Sequence, residues 1–228
     1  TGEEVIDISK ECDLFTIKTK TAEYFEKTVV LATGSTYRKL GIPNEEELIG
    51  SGIHFCATCD GAFYRDKNIV VIGGGNSALE EGIFLAGSVK SVSIINNSPE
   101  FTASKTYVEK LETIENIKVY SDKTSLEFVP NEKGLFHGVK IQDNQTKKES
   151  LVTADGAFIF IGLIPNTSLF KNIVDMDHRG FIQTTGLAET SQSGIFAAGD
   201  AREGAISQVA AATGEGVLAS YGIRNYLK

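Results

Sequence analysis

Short runs of alternating apolar and polar residues open the chain. Phe15 and Ile17 begin the alternation, which resumes at Phe25 and closes on an apolar run at residues 29–34. A period of two is typical of half-buried β-strands, and an uninterrupted apolar run is typical of a buried one. The pattern therefore predicts short antiparallel strands that end in a buried strand, followed by a polar segment at residues 43–47.

A β-α-β pattern follows. Residues 67–75 predict a strand and a glycine turn, residues 76–86 have the apolar spacing of a helix, and residues 89–95 predict a second strand. Further predicted elements are a helix through Tyr107, Leu111 and Ile114, a strand at 117–120, a meander around 126–128, 139–141 and 151–152, buried strands at 157–161 and 194–197, and a last helix from about Ser207. This succession predicts an α/β fold.

Composition narrows the function classes. The chain has 228 residues, 41% of them hydrophobic, which is enough for one large or two ordinary domains. A net charge of -8 and the lack of a long Lys or Arg run argue against nucleic acid and anionic lipid as partners. The longest apolar stretch, residues 156–165, is far shorter than the roughly 20 residues of a membrane helix, and no secretory signal opens the chain. We therefore expect a cytoplasmic protein without a membrane partner.

Two of the three cysteines stand at Cys56-Ala57-Thr58-Cys59. Thiols at this spacing can close a small reversible disulfide, whereas three cysteines do not suit a disulfide-stapled secreted fold. The alternative is a zinc half-site with His54, but Cys12, His137 and His178 are too scattered to supply a second ligand pair. Redox chemistry is therefore favoured over metal binding, and Cys12, which lies between two acidic residues, is interpreted as structural.

Asp60 directly follows the second cysteine of this motif. A carboxylic acid beside a reactive thiol pair is a natural proton donor. Asp is equally common as a plain helix cap. The sequence leaves both interpretations open.

A glycine turn joins the strand and helix of the β-α-β pattern. It reads Gly73-Gly74-Gly75-Asn76-Ser77-Ala78, a Gly-x-Gly-x-x-Ala motif in the context that places a dinucleotide pyrophosphate at a helix N-terminus. Gly73, Gly75 and Ala78 are therefore predicted to bind a nucleotide. The same glycines would also suit a tight βα turn without a ligand, because they permit close packing of strand and helix.

The end of the second strand identifies no particular nucleotide. NAD-binding proteins carry Asp or Glu roughly 20 residues after the glycine turn, and NADP-binding proteins carry Arg nearby. This chain has Asn96-Asn97-Ser98-Pro99 instead. Neither usual reader of the ribose 2′ position is therefore present in the sequence.

A Gly-Asp element lies near the end of the chain. Residues 194–200 read as a buried strand that delivers Gly199 and Asp200 to the start of a segment that becomes helical. Asp200 could bind a sugar or ribityl hydroxyl while nearby backbone groups face phosphate. The same pattern could also be a strand followed by a helix cap.

Taken together, these motifs resemble those of the low-molecular-weight thioredoxin reductases, in the same order. The motifs that carry the resemblance are residues 29–34, Cys56 to Gly61, Gly73 to Ala78, residues 161–166 (Ile-Gly-Leu-Ile-Pro-Asn) and residues 194–200. The match covers essentially the whole chain. Its specific part is Cys-Ala-Thr-Cys-Asp within the nucleotide domain, because related flavin disulfide reductases place their cysteines elsewhere.

The resemblance implies roles for the dithiol. Cys56 would attack the disulfide of a thioredoxin-like protein, Cys59 would face the flavin and Asp60 would supply the proton. The implied FAD contacts fall on Thr33, Gly34, Gly199, Asp200, Ala201, Ser207, Gln208 and Val209, with Gln208 and Val209 reaching the isoalloxazine.

The resemblance also implies a domain organisation. We expect two Rossmann-like, three-layer ββα domains: an FAD-binding domain formed by residues 1–36 and 167–228, and an inserted pyridine-nucleotide-type domain at residues 37–166 that carries the dithiol. Members of this family are homodimers whose domains rotate to present the dithiol alternately to flavin and protein substrate. Members also begin with a glycine-rich FAD fingerprint, and the present sequence starts after that point, so we expect a truncated or incomplete FAD domain.

The electron donor is the point at which the sequence departs from the family. NADPH-using members carry His-Arg-Arg and a later Arg where this chain has Asn96, Asn97, Ser98 and Thr102, and Ser207 replaces the usual Arg before Gln208. Charge-assisted contacts of that kind contribute about 1.5–3 kcal/mol each. The sequence therefore favours NADPH independence, with NADPH, NADH and ferredoxin left as alternative donors. A non-catalytic flavin- or nucleotide-binding module is the alternative function.

Overall fold

The structure is a computed structural model that describes residues 2–228. The strands are β1 Val5–Glu11, β2 Leu14–Thr19, β3 Glu23–Glu26, β4 Val29–Leu31, β5 Ser35–Tyr37, β6 Ile53–His54, β7 Asn68–Ile72, β8 Ser91–Ile95, β9 Ile117–Tyr120, β10 Lys123–Pro130, β11 Phe136–Asp143, β12 Glu149–Thr153, β13 Gly156–Ile159, β14 Leu163–Pro165 and β15 Ile195–Ala197. The helices are α1 Glu45–Leu48, α2 Ala57–Asp60, α3 Asn76–Ala86, α4 Lys105–Glu112 and α5 Val209–Tyr226.

The chain divides into two compact units. Unit 1 contains the residues up to Thr36 together with Leu163–Lys228, and unit 2 is the segment Tyr37–Gly162 between them. The second crossing therefore lies four residues before the boundary expected at 166/167. Strand β14 pairs with β5, whose first two residues lie in unit 1, so the residues of β14 belong to that unit as well.

Unit 2 has three layers. Its central sheet is parallel, in the order β6-β13-β7-β8-β9. Alternate residues of β7 point to opposite faces, so Ile69 and Val71 pack with Leu79 of α3, while Val70 and Ile72 pack on the other side with Phe128 of β10. The second face is covered by the antiparallel meander β10-β11-β12. This arrangement confirms the expected Rossmann-like ββα fold.

Unit 1 is built from two small sheets and a long helix. Strands β1-β2-β3 form an antiparallel sheet, and β15 pairs in parallel with β4. Their shared core includes Phe15, Leu31 and Ile195, while Phe196 packs beneath α5 against Ala219. None of the helices between residues 2 and 228 combines the length and hydropathy that crossing a bilayer requires.

Local patterns predicted most of the longer elements, but not the short strands β5, β6 and β14. The helix at residues 76–86 and the meander are confirmed. Strand β1 is not among the predicted strands, although residues 6–9 alternate between apolar and polar types. Within the polar segment at residues 43–47, Glu46 and Glu47 are exposed, but Glu45 is 2% exposed because its carboxylate accepts hydrogen bonds from the backbone N–H groups of Leu40 and Gly41.

Candidate active site

Cys56 and Cys59 are joined by a disulfide across the first turn of α2, with their Cα atoms 5.3 Å apart. Cys56 is the N-cap of this helix, and the backbone N–H of Cys59 donates to its Sγ at 3.1 Å. The Thr58 hydroxyl lies 3.4 Å from the same sulfur. Both groups are placed to stabilise a thiolate on Cys56 after reduction, because hydrogen bonds to the charged form favour it.

Cys12 has no part in this arrangement. It is an exposed free cysteine at the turn between β1 and β2 in unit 1. It is therefore a surface thiol and not a packed structural residue, which corrects the sequence interpretation. The predicted pairing of Cys56 with Cys59 is the one that the structure contains.

Asp60 is the last residue of α2 and leads into a 3-10 turn at Gly61–Tyr64. Its side chain makes no capping hydrogen bond to that turn, so the plain-cap interpretation is wrong. Instead, its Oδ2 lies 3.3 Å from Nδ1 of His54, whose Nε2 lies 2.7 Å from the Tyr64 hydroxyl. Asp60 is thus held by a partly buried side chain within one residue of the disulfide.

The glycine turn after β7 lines a cavity of about 690 Å³ in unit 2. Gly73 has φ 143°, and a Cβ there would collide with the backbone oxygen of Phe160 and come within 2.9 Å of Ala78. Gly75 also lines the cavity, whereas Ala78 is fully buried beneath the turn. Gly73 and Ala78 therefore let strand and helix approach closely, and the turn faces the cavity with backbone and small side chains.

The end of β8 presents uncharged side chains to this cavity. Asn96 is turned into its own loop, where its amide donates to the carbonyls of Ser98 and Glu100 at 2.9 and 3.0 Å. Asn97 and Thr102 line the cavity. The side chains that residues 96–102 contribute to the cavity wall are therefore uncharged.

Two cations also line this cavity. Lys123 is paired with Asp143 at 2.5 Å, which holds the pKa of Asp143 far below its usual value. The backbone N–H of Arg38 donates to the carbonyl of Gly162, just beyond β13, which lies on the opposite side of β7 from β8. The cation nearest to the end of β8 is therefore already neutralised, and Arg38 lies on the other side of the glycine turn.

A second cavity, of about 390 Å³, lies in unit 1. Its lining includes most of the predicted flavin contacts: Gly34, Gly199, Asp200, Ser207, Gln208 and Val209. Burial, together with the charge of Glu215, raises the pKa of Asp200. Thr33 and Ala201 are not part of this lining. The Thr33 carbonyl accepts from Asn166 at 3.0 Å, and Ala201 is fully buried in the core.

Glu215 of α5 organises the second cavity, and sequence reasoning missed it. Its carboxylate accepts from the backbone N–H of Gly199 at 2.7 Å and from Arg202 Nε and Nη2 at 2.9 and 2.6 Å. The hydrogen bond from Arg202 lowers the pKa of Glu215. No periodic signal links residues 13 positions apart across a turn, so only the fold identifies this contact.

His54 and Tyr64 were also missed as partners of Asp60. His54 was weighed only as a zinc ligand, but both of its ring nitrogens are directed at Asp60 and Tyr64, and both neighbouring cysteines are in the disulfide. The only sequence signal was a histidine two residues before the motif. The side chains meet because α2 and the following 3-10 turn fold back toward β6.

The comparisons with known proteins agree with this site. The family model described as pyridine nucleotide-disulphide oxidoreductase matches residues 1–216. A thioredoxin reductase of Bacillus subtilis (strain 168) is 37% identical over 225 residues, which cover 99% of this chain and 70% of that protein. A thioredoxin reductase of Treponema pallidum (strain Nichols) is 39% identical over 226 residues, which cover 99% of this chain and 72% of that protein.

A solved structure gives the same result. The thioredoxin reductase from Streptococcus pyogenes MGAS5005 superposes with a TM-score of 0.87 at 34% identity, and the match covers 99% of this chain and 73% of that one. The range matched by the family model includes the disulfide, the glycine turn and the Gly-Asp element described above. The chain therefore belongs to the pyridine nucleotide-disulphide oxidoreductase family, as a flavin disulfide oxidoreductase of the thioredoxin reductase type with Cys56 and Cys59 as its cysteine pair.

Proposed function

We propose that this protein passes two electrons from FAD through Cys56 and Cys59 to the disulfide of a thioredoxin-like protein. The observation that carries the proposal is the Cys56–Cys59 disulfide, with a hydrogen-bond donor on the Cys56 sulfur and a positioned carboxyl on the next residue after Cys59. A reversible dithiol of this kind suits a reducing compartment, and we place the protein in the cytoplasm.

The cavity of unit 1 fits FAD in its chemistry. The Gly199–Ala201 turn offers backbone beside the Asp200 carboxyl, and a Cβ on Gly34 would point into open space. Gly34, Gly199 and Asp200 would hold the ribityl and phosphate groups, and Gln208 and Val209 would contact the isoalloxazine, with Ser207 beside them in the cavity lining. Bound there, FAD supplies the electron pair. Unit 1 is accordingly the FAD domain, and unit 2 the nucleotide-type domain.

The dithiol would act in two exchanges. Reduction breaks the S–S bond with two electrons and one proton from solvent, and leaves Cys59 as a thiol and Cys56 as a thiolate that Cys59 N–H stabilises. Cys56 then attacks the partner disulfide, forming a mixed disulfide, and the first partner sulfur leaves and takes the proton of Asp60. Cys59 next gives its proton to the Asp60 carboxylate and attacks the Cys56 sulfur, which restores the disulfide and releases the second partner sulfur, protonated from solvent.

The donor that we propose is not NADPH. The support is the wall of the unit 2 cavity, where the uncharged side chains of Asn97 and Thr102 would offer a 2′-phosphate no cation and Lys123 is already paired with Asp143. A donor that delivers electrons one at a time, such as a reduced ferredoxin, needs no nucleotide pocket. NADH lacks the 2′-phosphate and is the other donor compatible with this wall. We also propose a homodimer, as in the family that the chain resembles.

Cysteine variants test the proposed function. In the flavin-loaded protein, Cys59→Ser should leave the flavin reducible by dithionite but abolish turnover of a bacterial thioredoxin disulfide. Cys12→Ser is the matched control, because it removes the free cysteine and should turn over like the wild type. Undiminished turnover by Cys59→Ser would refute the proposal.

Stopped-flow reduction of the flavin tests the donor separately. NADPH, NADH and reduced ferredoxin would each be mixed with the same flavin-loaded protein. We expect the flavin to be reduced more slowly by NADPH than by NADH or by reduced ferredoxin, or by both. Fast reduction by NADPH alone would overturn the donor proposal while leaving the dithiol chemistry intact.

A further inference from the structure

The His54 ring is held at both of its nitrogens and by two aromatic neighbours. Its side chain is 10% exposed and forms a three-ring cluster with Tyr64 and Phe158, whose centroids lie 5.2 and 5.3 Å from its own and 5.5 Å from each other. Its Nδ1 lies 3.3 Å from Oδ2 of Asp60, and its Nε2 lies 2.7 Å from the Tyr64 hydroxyl. Because the ring is fixed in one orientation, its Nδ1 can hold the Asp60 carboxyl group in one position.

The partners of the ring decide which nitrogen carries the proton in the neutral form. When Asp60 is ionised it can only accept, so a hydrogen bond across the 3.3 Å between Oδ2 and Nδ1 requires the proton on Nδ1, and Nε2 then accepts from the Tyr64 hydroxyl. Burial and the charges of Asp60 and Asp155 raise the pKa of Tyr64, which keeps its hydroxyl protonated as the donor. The other charged group near this phenol is Lys67, whose Nζ lies 5.4 Å from the ring centroid.

We propose that His54 is a positioning residue that holds the Asp60 carboxyl beside the dithiol, through a directed chain from the Tyr64 hydroxyl to His54 and from His54 to Asp60. The inference rests on the proposed function, in which Asp60 supplies a proton to the leaving partner sulfur. The chain acts before and after that transfer. It fixes where the carboxyl points, and it gives the carboxylate a hydrogen-bond donor once the proton has left.

The first test is spectroscopic and needs no turnover. The chain has three histidines, and His137 and His178 are not part of this cluster, so His137→Asn and His178→Asn assign the ¹⁵N imidazole signals and leave His54 by elimination. In the oxidised, flavin-loaded protein we expect the Nδ1–H tautomer at His54. Asp60→Ala should convert it to the Nε2–H tautomer, while Tyr64→Phe should leave Nδ1–H in place. A Nε2–H tautomer in the wild type would overturn the proposal.

The second test compares two amide replacements. An Asn at position 54 places its amide N–H near the site of Nδ1, whereas a Gln places it near Nε2. The readout is the single-turnover rate at which the reduced protein reduces a bacterial thioredoxin disulfide. We expect His54→Gln to lose roughly 10-fold and His54→Asn to remain within roughly 3-fold of the wild type. Equal rates for the two variants would contradict the positioning role.

Asp60→Ala separates this inference from the proposed function. It should slow the same step by roughly 100-fold, as expected for loss of a general acid. If it does not, Asp60 is not the proton donor and that part of the proposed function fails. If Asp60→Ala is slow while His54→Gln matches the wild type, the proposed function stands and the positioning role of His54 is refuted.

Discussion

Lys123 Nζ lies 2.5 Å from Asp143 Oδ2 across the first rung of the β10–β11 pair. The other oxygen of Asp143 accepts from the backbone N–H groups of Gln145 and Thr146, so this carboxylate also shapes the hairpin loop. Lys123 is bound through its own backbone N–H to the carbonyl of Asn96. The ammonium group of Lys123 therefore lies near the end of β8, but its charge is already paired with the Asp143 carboxylate.

Asp143→Asn should release Lys123 toward the cavity. The amide keeps an acceptor for the loop but no longer carries the charge that pairs with the ammonium. We expect the affinity for NADPH to rise roughly fivefold, with little change for NADH. Titration of both nucleotides measures it, with Lys123→Gln as the control that should show no gain. An equal gain for NADH would show that Lys123 does not read the 2′ position.

The glycine turn makes a paired prediction. Gly73→Ala forces a Cβ onto the Phe160 backbone oxygen at a φ that only glycine adopts easily, and should destabilise unit 2 by about 1–3 kcal/mol. At Gly75 a Cβ would meet only the Thr102 hydroxyl, at 3.7 Å, so Gly75→Ala should cost under about 1 kcal/mol. Denaturant unfolding compares the two. Similar losses would mean that the close approach at Gly73 is not what requires glycine.

Glu215→Gln should loosen the Gly-Asp element of unit 1. It removes the charge that pairs with Arg202 and leaves Gly199 N–H without its carboxylate, at a cost of about 1–2 kcal/mol. Hydrogen exchange should quicken in peptides that cover β15 and the start of α5, and stay unchanged in β7 and α3. Glu203→Gln, an exposed neighbour, is the control. Unchanged exchange in β15 would refute this role of Glu215.

The same contact predicts a pH dependence. Arg202 lowers the pKa of Glu215 below its ordinary value of 4.5, so the stabilisation is present above that pH and is lost as the pH falls through the lower folded-state value. The difference in exchange between wild type and Glu215→Gln, corrected for intrinsic rates, should therefore be full at about pH 6 and shrink below about pH 4. A difference that grows on acidification would contradict the assignment.

Thiol counting separates the proposed enzyme from a non-catalytic module. The oxidised protein should show one reactive thiol, Cys12, and the protein after mild reduction should show three, because the disulfide between Cys56 and Cys59 opens. Mild oxidant should return the count to one. A count that does not cycle would favour a flavin- or nucleotide-binding module without disulfide chemistry.

Sequence reasoning succeeded where the signal was local. The period of residues 76–86, the glycines before them and the spacing of Cys56 and Cys59 each depend on neighbours along the chain. It failed where distant residues decide the outcome. Glu45 is buried because backbone amides of the preceding loop turn onto it, and Glu215 meets Gly199 only through the packing of α5.

The Asp60 cluster shows the same limit. Three side chains at positions 54, 60 and 64 have no shared period, since a strand, a helical turn and a 3-10 turn separate them. The residue types show that these side chains can exchange hydrogen bonds, but the sequence does not show which side chain contacts which. In the structure, the two ring nitrogens of His54 contact Asp60 and Tyr64.

The central claim is that electrons leave this protein through Cys56 and Cys59. The most direct measurement reduces the flavin-loaded protein anaerobically with dithionite, removes the reductant, mixes the protein with a bacterial thioredoxin disulfide and counts the thiols formed on thioredoxin. We predict two new thiols on released thioredoxin for each electron pair delivered by the wild type and by Cys12→Ser, whereas Cys59→Ser should release no doubly reduced thioredoxin, because it stops at the mixed disulfide between Cys56 and thioredoxin. Thioredoxin thiols formed at the wild-type level by Cys59→Ser would contradict the account.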